Sequence, residues 1–204
     1  MISTIFFDFD GVLTTDKNGW YTTCKNIQKT IPKTKLQSII DCYLKHTPNL
    51  SRGEISHQEM WPDFCDCVGE NIDINILPQA LANAPKNEKM LGLCKRLGQT
   101  YRLGIITDNN LARFNLLKTK WGLSRLFKVI CLSAEQGALK TDQDLFEKAL
   151  ELAGVKAKDS VFIDNHEKNL TIPRQMGFKT FWHDHEKNDI NLLVTRLQAW
   201  GIKI

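Results

Sequence analysis

The chain has 204 residues, of which 42% are hydrophobic and 25% are charged, and its formal net charge is +4. This composition is typical of a soluble globular protein of one or two domains. No apolar run approaches the roughly 20 residues of a membrane helix, and the N-terminus lacks the basic region of a signal peptide. The small positive charge also forms no dense basic stripe. We therefore expect neither a membrane nor a nucleic acid as partner.

Cysteine usage bears on the cellular compartment. Six cysteines are too few for a disulfide scaffold at this length. Without an export signal, we expect all six thiols to be reduced and the protein to be cytoplasmic.

The chain begins with a short apolar segment. Residues 2–7 predict a strand that is buried on both faces. Two aspartates, Asp8 and Asp10, follow directly, and Gly11 allows the chain to turn away tightly after them.

Residues 14–85 carry helical patterns and no convincing strand. Apolar residues within 32–45 share one helical face, and Pro32 predicts the first turn of that helix. Ser56 opens a second helix through a capping box, and we expect Pro62 to kink or divide it. The segment is therefore interpreted as a small helical domain inserted after the first strand.

From residue 86 onward, strands alternate with helices. Apolar segments predict strands at 101–107, 127–132, 160–164 and 178–182. Helical patterns follow Asn87 and run near 109–120, 144–154 and 189–200. This alternation predicts an α/β fold, a doubly wound (Rossmann-like) parallel sheet with right-handed crossovers. We assign 1–13 and 86–204 to this core and 14–85 to the helical domain.

The paired aspartates are the first candidate functional residues. Asp8 and Asp10 would project to one side if the strand continued, at the edge where parallel sheets bind ligands. Two neighbouring carboxylates repel each other, and a divalent cation offsets that cost. Because Mg²⁺ takes one or two carboxylates together with substrate phosphate, the pair favours a magnesium and phosphate site.

Further polar residues occur at matching positions. Thr107 and Asp108 lie at the end of the second strand. Asp164 ends the fourth strand, and Asn165 and Asn169 follow it. Lys140 precedes a helix. All of them could converge on one rim of the sheet. Carboxylates, a hydroxyl and a cation form the set that phosphoryl transfer through an acyl-phosphate requires.

This order of residues resembles the haloacid dehalogenase superfamily, specifically its magnesium-dependent phosphatases with a helical cap. Four family motifs match in chain order: Asp8, Asp10, Gly11 and Val12; then Thr107; then Lys140; then Asp164. The chain departs from the family pattern at two positions. Asn165 stands where members often have aspartate, and Thr141 follows the lysine where proline is common.

The resemblance implies a role for each matched residue. Asp8 would attack phosphorus and form an aspartyl-phosphate, and Asp10 would serve as general acid and then general base. The implied Mg²⁺ ligands are Asp8, the backbone carbonyl of Asp10 and Asp164, with Asn165 assisting through water. The implied phosphate ligands are Thr107, Lys140 and backbone amides including that of Asp108. Asn169 would support the site.

The implied function is hydrolysis of small phosphorylated metabolites, sugar phosphates among them, with the helical cap selecting the substrate. Asp10 argues against the dehalogenases of the superfamily, which lack this second aspartate. Two alternatives stay open: a phosphomutase of the same fold, and a catalytically weak phosphate-binding regulatory protein. The sequence leaves monomer and homodimer equally open.

Overall fold

The computed structural model describes all 204 residues. Its centre is a sheet of five parallel strands: β1 (Thr4–Phe7), β2 (Arg102–Thr107), β3 (Val129–Leu132), β4 (Ser160–Asp164) and β5 (Lys179–Trp182). The strand order is β3-β2-β1-β4-β5. The first strand is therefore central, and the chain builds outward from it in both directions. The predicted doubly wound α/β fold is confirmed.

Five of the helices between β1 and β2 belong to one stretch of the chain: α1 (Gly19–Gln28), α2 (Leu36–Leu44), α3 (Thr47–Arg52), α4 (His57–Val68) and α5 (Leu77–Ala82). Their apolar faces enclose a cluster of 14 buried residues, separate from the clusters that pack against the sheet. Thr14 and Lys86 form a single antiparallel bridge where this stretch begins and ends. We call residues 14–85 the inserted segment.

Two proline predictions in this segment need correction. Pro32 does not lie in the first turn of a helix, because α2 begins only at Leu36. It lies instead in a turn closed by the hydrogen bond from the Thr34 amide to the Ile31 carbonyl (3.0 Å). Pro62 does not divide α4, which runs through it and begins at the predicted capping box.

The expectation of six reduced thiols is wrong for one pair. Cys42 and Cys67 form a disulfide that joins α2 to α4. The two helices pack against each other and bring the Cα atoms to 5.8 Å, within the range that a disulfide spans. The other four cysteines are free: Cys24, Cys65, Cys94 and Cys131.

Six helices complete the core: α6 (Glu88–Leu97), α7 (Leu111–Trp121), α8 (Ser133–Gln136), α9 (Gln143–Ala153), α10 (Thr171–Met176) and α11 (Ile190–Ala199). Ile5 and Phe7 pack in one cluster with α6, α7 and α11, whereas Phe6 packs with α9 on the opposite face. Helices thus cover both faces of the sheet, which explains why its strands are continuously apolar. None of the helices combines the length and apolarity needed to cross a bilayer.

Candidate active site

The central strand and its neighbour bring two carboxylates to one point. Asp8 follows β1 and Asp164 ends β4, and the Asp8 amide donates to the Ile163 carbonyl at 2.8 Å. Lys140 Nζ lies 2.6 Å from Asp8 Oδ1 and 2.8 Å from Asp164 Oδ2. All three residues are buried, with at most 4% of their surface exposed. One ammonium group therefore bridges two carboxylates at the carboxyl edge of the sheet.

Neighbouring groups hold this arrangement in place. Asp164 accepts hydrogen bonds from the His166 amide (2.7 Å) and from Asn169 Nδ2, which is 3.2 Å from each carboxylate oxygen. Asp108 Oδ1 accepts from the Lys140 amide at 2.9 Å. The lysine is thus fixed through its backbone as well as through its side chain.

Negative charge exceeds positive charge in this buried cluster. Burial raises the pKa of Asp8, the Lys140 ammonium opposes that shift, and the Asp164 carboxylate adds to it. Burial would lower the pKa of Lys140, but the carboxylates of Asp164, Asp8 and Asp108 outweigh it and the pKa is raised. Burial also raises the pKa of Asp108. Three carboxylates thus share one ammonium group, and an additional cation would stabilise their ionised forms.

The second aspartate of the first motif belongs to a different cluster. Arg113 Nη2 donates to Asp10 Oδ1 at 2.7 Å, and Nη1 donates to Oδ2 at 2.8 Å. Asn109 Nδ2 donates to the same Oδ2 at 3.0 Å. Arg113 is 1% exposed, and its guanidinium lies 5.7 Å from the centre of the Phe9 ring. A buried, two-pronged arginine therefore fixes the Asp10 carboxylate, which does not contact Lys140.

The inserted segment closes over this ion pair at Gly19, the first residue of α1. A β-carbon at Gly19 would lie 2.4 Å from Arg113 Cζ and 2.6 Å from Asp10 Oδ2. Real β-carbons do not approach other atoms so closely. The absence of a side chain at Gly19 therefore allows the first helix of the inserted segment to pack on the ion pair.

Two other predicted residues lie at the edges of the site. Thr107 ends β2 and is buried, but it does not line the cavity described below. Asn165 Nδ2 donates to the Lys17 carbonyl at 3.3 Å, while Asn165 Oδ1 is buried without a hydrogen-bond partner. Gly11 has φ +75°, and a β-carbon there would lie 2.1 Å from Asn165 Nδ2. Both the turn after Asp10 and the close packing of Asn165 therefore require glycine.

The donor atoms around Asp8 suit a hard cation. No three acidic, histidine or cysteine side chains are arranged to hold one metal ion, and the Asp10 side chain is bound to Arg113. The Asp8 and Asp164 carboxylates, together with the unpartnered Asn165 Oδ1, nevertheless provide oxygen ligands of the kind that Mg²⁺ prefers. Mg²⁺ commonly takes its remaining ligands from water and substrate. The residues present therefore fit this ion.

A cavity of about 370 Å³ opens above these clusters. The core contributes Asp8, Asp10 and Lys140, and the inserted segment contributes residues that include Trp20 and Tyr43. Only four of the 21 lining residues are hydrophobic. The cavity has the size of a small-molecule site, and its lining favours a polar ligand.

Sequence reasoning missed Arg113 and Asn109. Asn109 lies in the loop before α7 and Arg113 lies in the first turn of that helix, and Arg113 Nη1 donates to Asn109 Oδ1 at 3.3 Å. Nothing in a single sequence distinguishes a buried arginine from the other basic residues of the chain.

Comparison with known proteins identifies the family and the fold. The family model described as haloacid dehalogenase-like hydrolase matches residues 5–183. A glyceraldehyde 3-phosphate phosphatase of Pyrococcus abyssi is 25% identical, with 92% of this chain and 83% of that protein covered. Two solved structures share the fold. One, a predicted HAD-like family hydrolase from Porphyromonas gingivalis, has a TM-score of 0.76 at 23% identity and covers 97% of this chain and 98% of its own. The other, a HAD family enzyme from Bacteroides thetaiotaomicron in complex with magnesium and inorganic phosphate, has a TM-score of 0.71 at 20% identity and covers 94% and 99%.

Proposed function

The chain belongs to the haloacid dehalogenase-like hydrolase family, and from this premise we propose that it is a Mg²⁺-dependent phosphatase of small phosphorylated metabolites. The observation that carries the proposal is the Asp8–Lys140–Asp164 cluster at the floor of a polar cavity. A nucleophilic carboxylate beside a fixed cation is what attack on a phosphate ester requires. The phosphatase of P. abyssi and the phosphate-bound enzyme of B. thetaiotaomicron support the same chemistry.

In the first step, an Asp8 oxygen attacks phosphorus and the bond from phosphorus to the ester oxygen breaks. The electron pair of that bond passes to the leaving oxygen, which takes a proton from Asp10. The product is an aspartyl-phosphate and a free alcohol. Lys140 stabilises the phosphoryl oxygens while charge is transferred, a contribution that is usually large when the cation is already in place.

In the second step, water attacks phosphorus of the aspartyl-phosphate and gives a proton to Asp10. The bond between phosphorus and the Asp8 oxygen breaks, its electron pair returns to the Asp8 carboxylate, and inorganic phosphate leaves. Arg113 and Asn109 occupy both Asp10 oxygens with hydrogen-bond donors. The acid–base role therefore requires one Asp10 oxygen to leave these donors and turn toward the substrate.

Mg²⁺ would be held by Asp8 and Asp164, with Asn165 and the Asp10 backbone carbonyl as further oxygen donors. When bound, it would polarise the phosphoryl group and offset the repulsion between carboxylates and phosphate. Asn169 orients Asp164 for this role through its contacts with both carboxylate oxygens. We assign phosphate binding to Lys140 and the backbone amide of Asp108. The hydroxyl of Thr107, at the edge of the same site, is assigned the same role.

The inserted segment (14–85) is proposed to act as the cap domain that selects the leaving group, on a core formed by 1–13 and 86–204. Its separate cluster of buried residues supports treating it as a unit. Trp20 is partly exposed and lines the cavity from the side of the inserted segment, so its ring is available to contact the part of a substrate that differs between metabolites.

The test is hydrolysis of p-nitrophenyl phosphate with Mg²⁺ by wild type, Asp8→Asn and Asp63→Asn. Asp8→Asn removes the attacking oxygen and should reduce turnover to background. Asp63 is exposed on α4 and lies outside the cavity, and Asp63→Asn removes the same charge, so this variant should retain wild-type turnover. Substantial turnover by Asp8→Asn with a folded circular dichroism spectrum would contradict the proposal.

A further inference from the structure

Two lysines that line the cavity carry charges with no partner in the protein. The other cations there are neutralised: Arg113 binds Asp10, and Lys140 binds Asp8 and Asp164. Lys17 and Lys168 also line the cavity, but neither forms a salt bridge or donates a side-chain hydrogen bond. Their charges are therefore available to a ligand.

Hydrogen bonds hold the two lysines on neighbouring stretches of chain. Lys17 belongs to the inserted segment, and its carbonyl accepts from Asn165 Nδ2 at 3.3 Å. The adjacent Asn18 Oδ1 lies 3.2 Å from His166 Nε2, and Lys168 follows two residues later. The linker into the inserted segment thus crosses the loop after β4, and this crossing brings the two lysines to the same side of the cavity.

The position of this pair relative to the phosphate-binding floor constrains the substrate. Lys140 is nearly buried at the floor, whereas Lys17 and Lys168 are exposed at the rim. A phosphate ester bound at Asp8 would extend its leaving group from the floor toward the rim. Lys17 and Lys168 line the same cavity of about 370 Å³ as Asp8 and Lys140, so the far end of a small metabolite held at Asp8 would face these two lysines.

We infer that Lys17 and Lys168 form a second anion-binding subsite, and that the substrates are small phosphate monoesters whose leaving group carries another anionic group. The inference rests on the proposed phosphatase function and adds to it the class of substrate. The anionic group can be a carboxylate or a second phosphate, because both carry the negative charge that two ammonium groups bind. Two lysines that approach one anion from different stretches of chain discriminate against neutral analogues, because those analogues leave both charges without a partner.

The experiment compares kcat/KM for substrates that differ only at the far end. 3-Phospho-D-glycerate and D-glyceraldehyde 3-phosphate differ by a carboxylate against an aldehyde. Propane-1,3-diol bisphosphate and 3-hydroxypropyl phosphate differ by a second phosphate against a hydroxyl. The variants are Lys17→Ala, Lys168→Ala and the double variant. Lys95→Ala, which removes an exposed lysine of α6 outside the cavity, is the charge-matched control.

Each single variant should lower the anionic-to-neutral kcat/KM ratio by about two- to five-fold, the range of an exposed ion pair, and the double variant should lower it further. Lys95→Ala should keep the wild-type ratio. The pair whose ratio falls identifies the second anion as carboxylate or phosphate. An unchanged ratio in the double variant, or an equal fall for both members of each pair, would overturn the subsite, because the lysines would then act only on the shared phosphoryl group.

Failure of the phosphatase proposal is recognised separately, by absence of turnover with every ester and with p-nitrophenyl phosphate. In that event, calorimetric binding of phosphonoacetate and 2-hydroxyethylphosphonate to the same variants decides the subsite. Tighter binding of phosphonoacetate that is lost in the double variant would support it. Equal affinities of the wild-type protein for the two phosphonates would overturn it.

Discussion

Arg113 and Asp10 form a two-pronged ion pair, with both guanidinium Nη atoms within 2.8 Å of the carboxylate oxygens. The contact joins helix α7 to the loop that leads from the central strand into the inserted segment. It holds the carboxylate of Asp10, the proposed acid–base residue, apart from Lys140. Arg113 is therefore a positioning residue for the proposed reaction.

Replacing Arg113 should impair acid–base catalysis by Asp10 more than nucleophilic attack by Asp8. Arg113→Lys loses the two-pronged geometry, and kcat for an alkyl phosphate should fall by about 10- to 100-fold, part of the 10²–10⁴-fold typical of general acid–base catalysis. The initial release of p-nitrophenol should fall much less, because that leaving group needs little protonation. Stopped-flow and steady-state assays give both values. Arg125→Lys, on the surface, is the control, and an equal fall in both rates would contradict a role through Asp10.

Gly19 packs the inserted segment against the Arg113–Asp10 ion pair, so a side chain at this position should disturb that pair. Gly19→Ala introduces a β-carbon 2.4 Å from Arg113 Cζ, so α1 or the ion pair must shift. A displacement of about 1 Å near reacting groups can cost about 100-fold in rate, and we expect kcat to fall by about 10- to 100-fold. Gly92→Ala is the matched control, since nothing lies within 4 Å of the added carbon. That variant should keep full activity and gain up to about 1 kcal/mol of stability.

Much of the core was predictable because its signals are local. The strands are apolar runs that end in polar residues, and α7 and α9 end one residue before Gly122 and Gly154, both in the left-handed conformation. The strand ends also indicated Asp8 and Asp164, because parallel topology brings carboxyl ends together, and Lys140 was indicated by its position before a helix.

The remaining features depend on contacts between distant parts of the chain. The α1 helix has weak local signals, since its N-cap residue Asn18 makes no capping hydrogen bond. The Cys42–Cys67 bond depends on how α2 packs against α4. In α11, Leu192 fits the apolar pattern but is 57% exposed, because that face has no neighbour to cover it. Such features are fixed by tertiary packing, which a single sequence does not specify.

Metal dependence provides a further prediction. EDTA should abolish turnover and Mg²⁺ should restore it, because the buried carboxylates need a cation before a phosphate dianion can approach. Asp164→Asn should raise the Mg²⁺ concentration for half-maximal activity by at least about 10-fold. Asn165→Asp should lower that concentration, since it adds a carboxylate beside Asp164. Asn191→Asp, with the same change in net charge on the surface of α11, should leave the concentration unchanged. Full activity in EDTA would contradict the magnesium assignment.

Stability of the inserted segment should fall in mild acid because of His57. Its ring nitrogen lies 2.9 Å from the Tyr43 hydroxyl inside the apolar cluster, and burial lowers the pKa of His57 to about 4. The unfolded chain binds a proton near pH 6.5, so the stabilisation by neutral His57 is fully present above that pH. It is lost progressively from pH 6.5 down to about pH 4.

The pH-dependent loss is measurable by urea unfolding followed by tryptophan fluorescence. Between pH 7 and pH 5, His57 should account for a decrease of about 2 kcal/mol in the free energy of unfolding. His57→Gln keeps a polar side chain but cannot titrate, so its decrease over the same interval should be smaller by that amount. Tyr43→Phe keeps the histidine and removes only the hydrogen bond, and it should retain the wild-type pH dependence. An identical pH dependence for His57→Gln and the wild-type protein would contradict the prediction, because it would show that folding leaves the pKa of His57 unchanged.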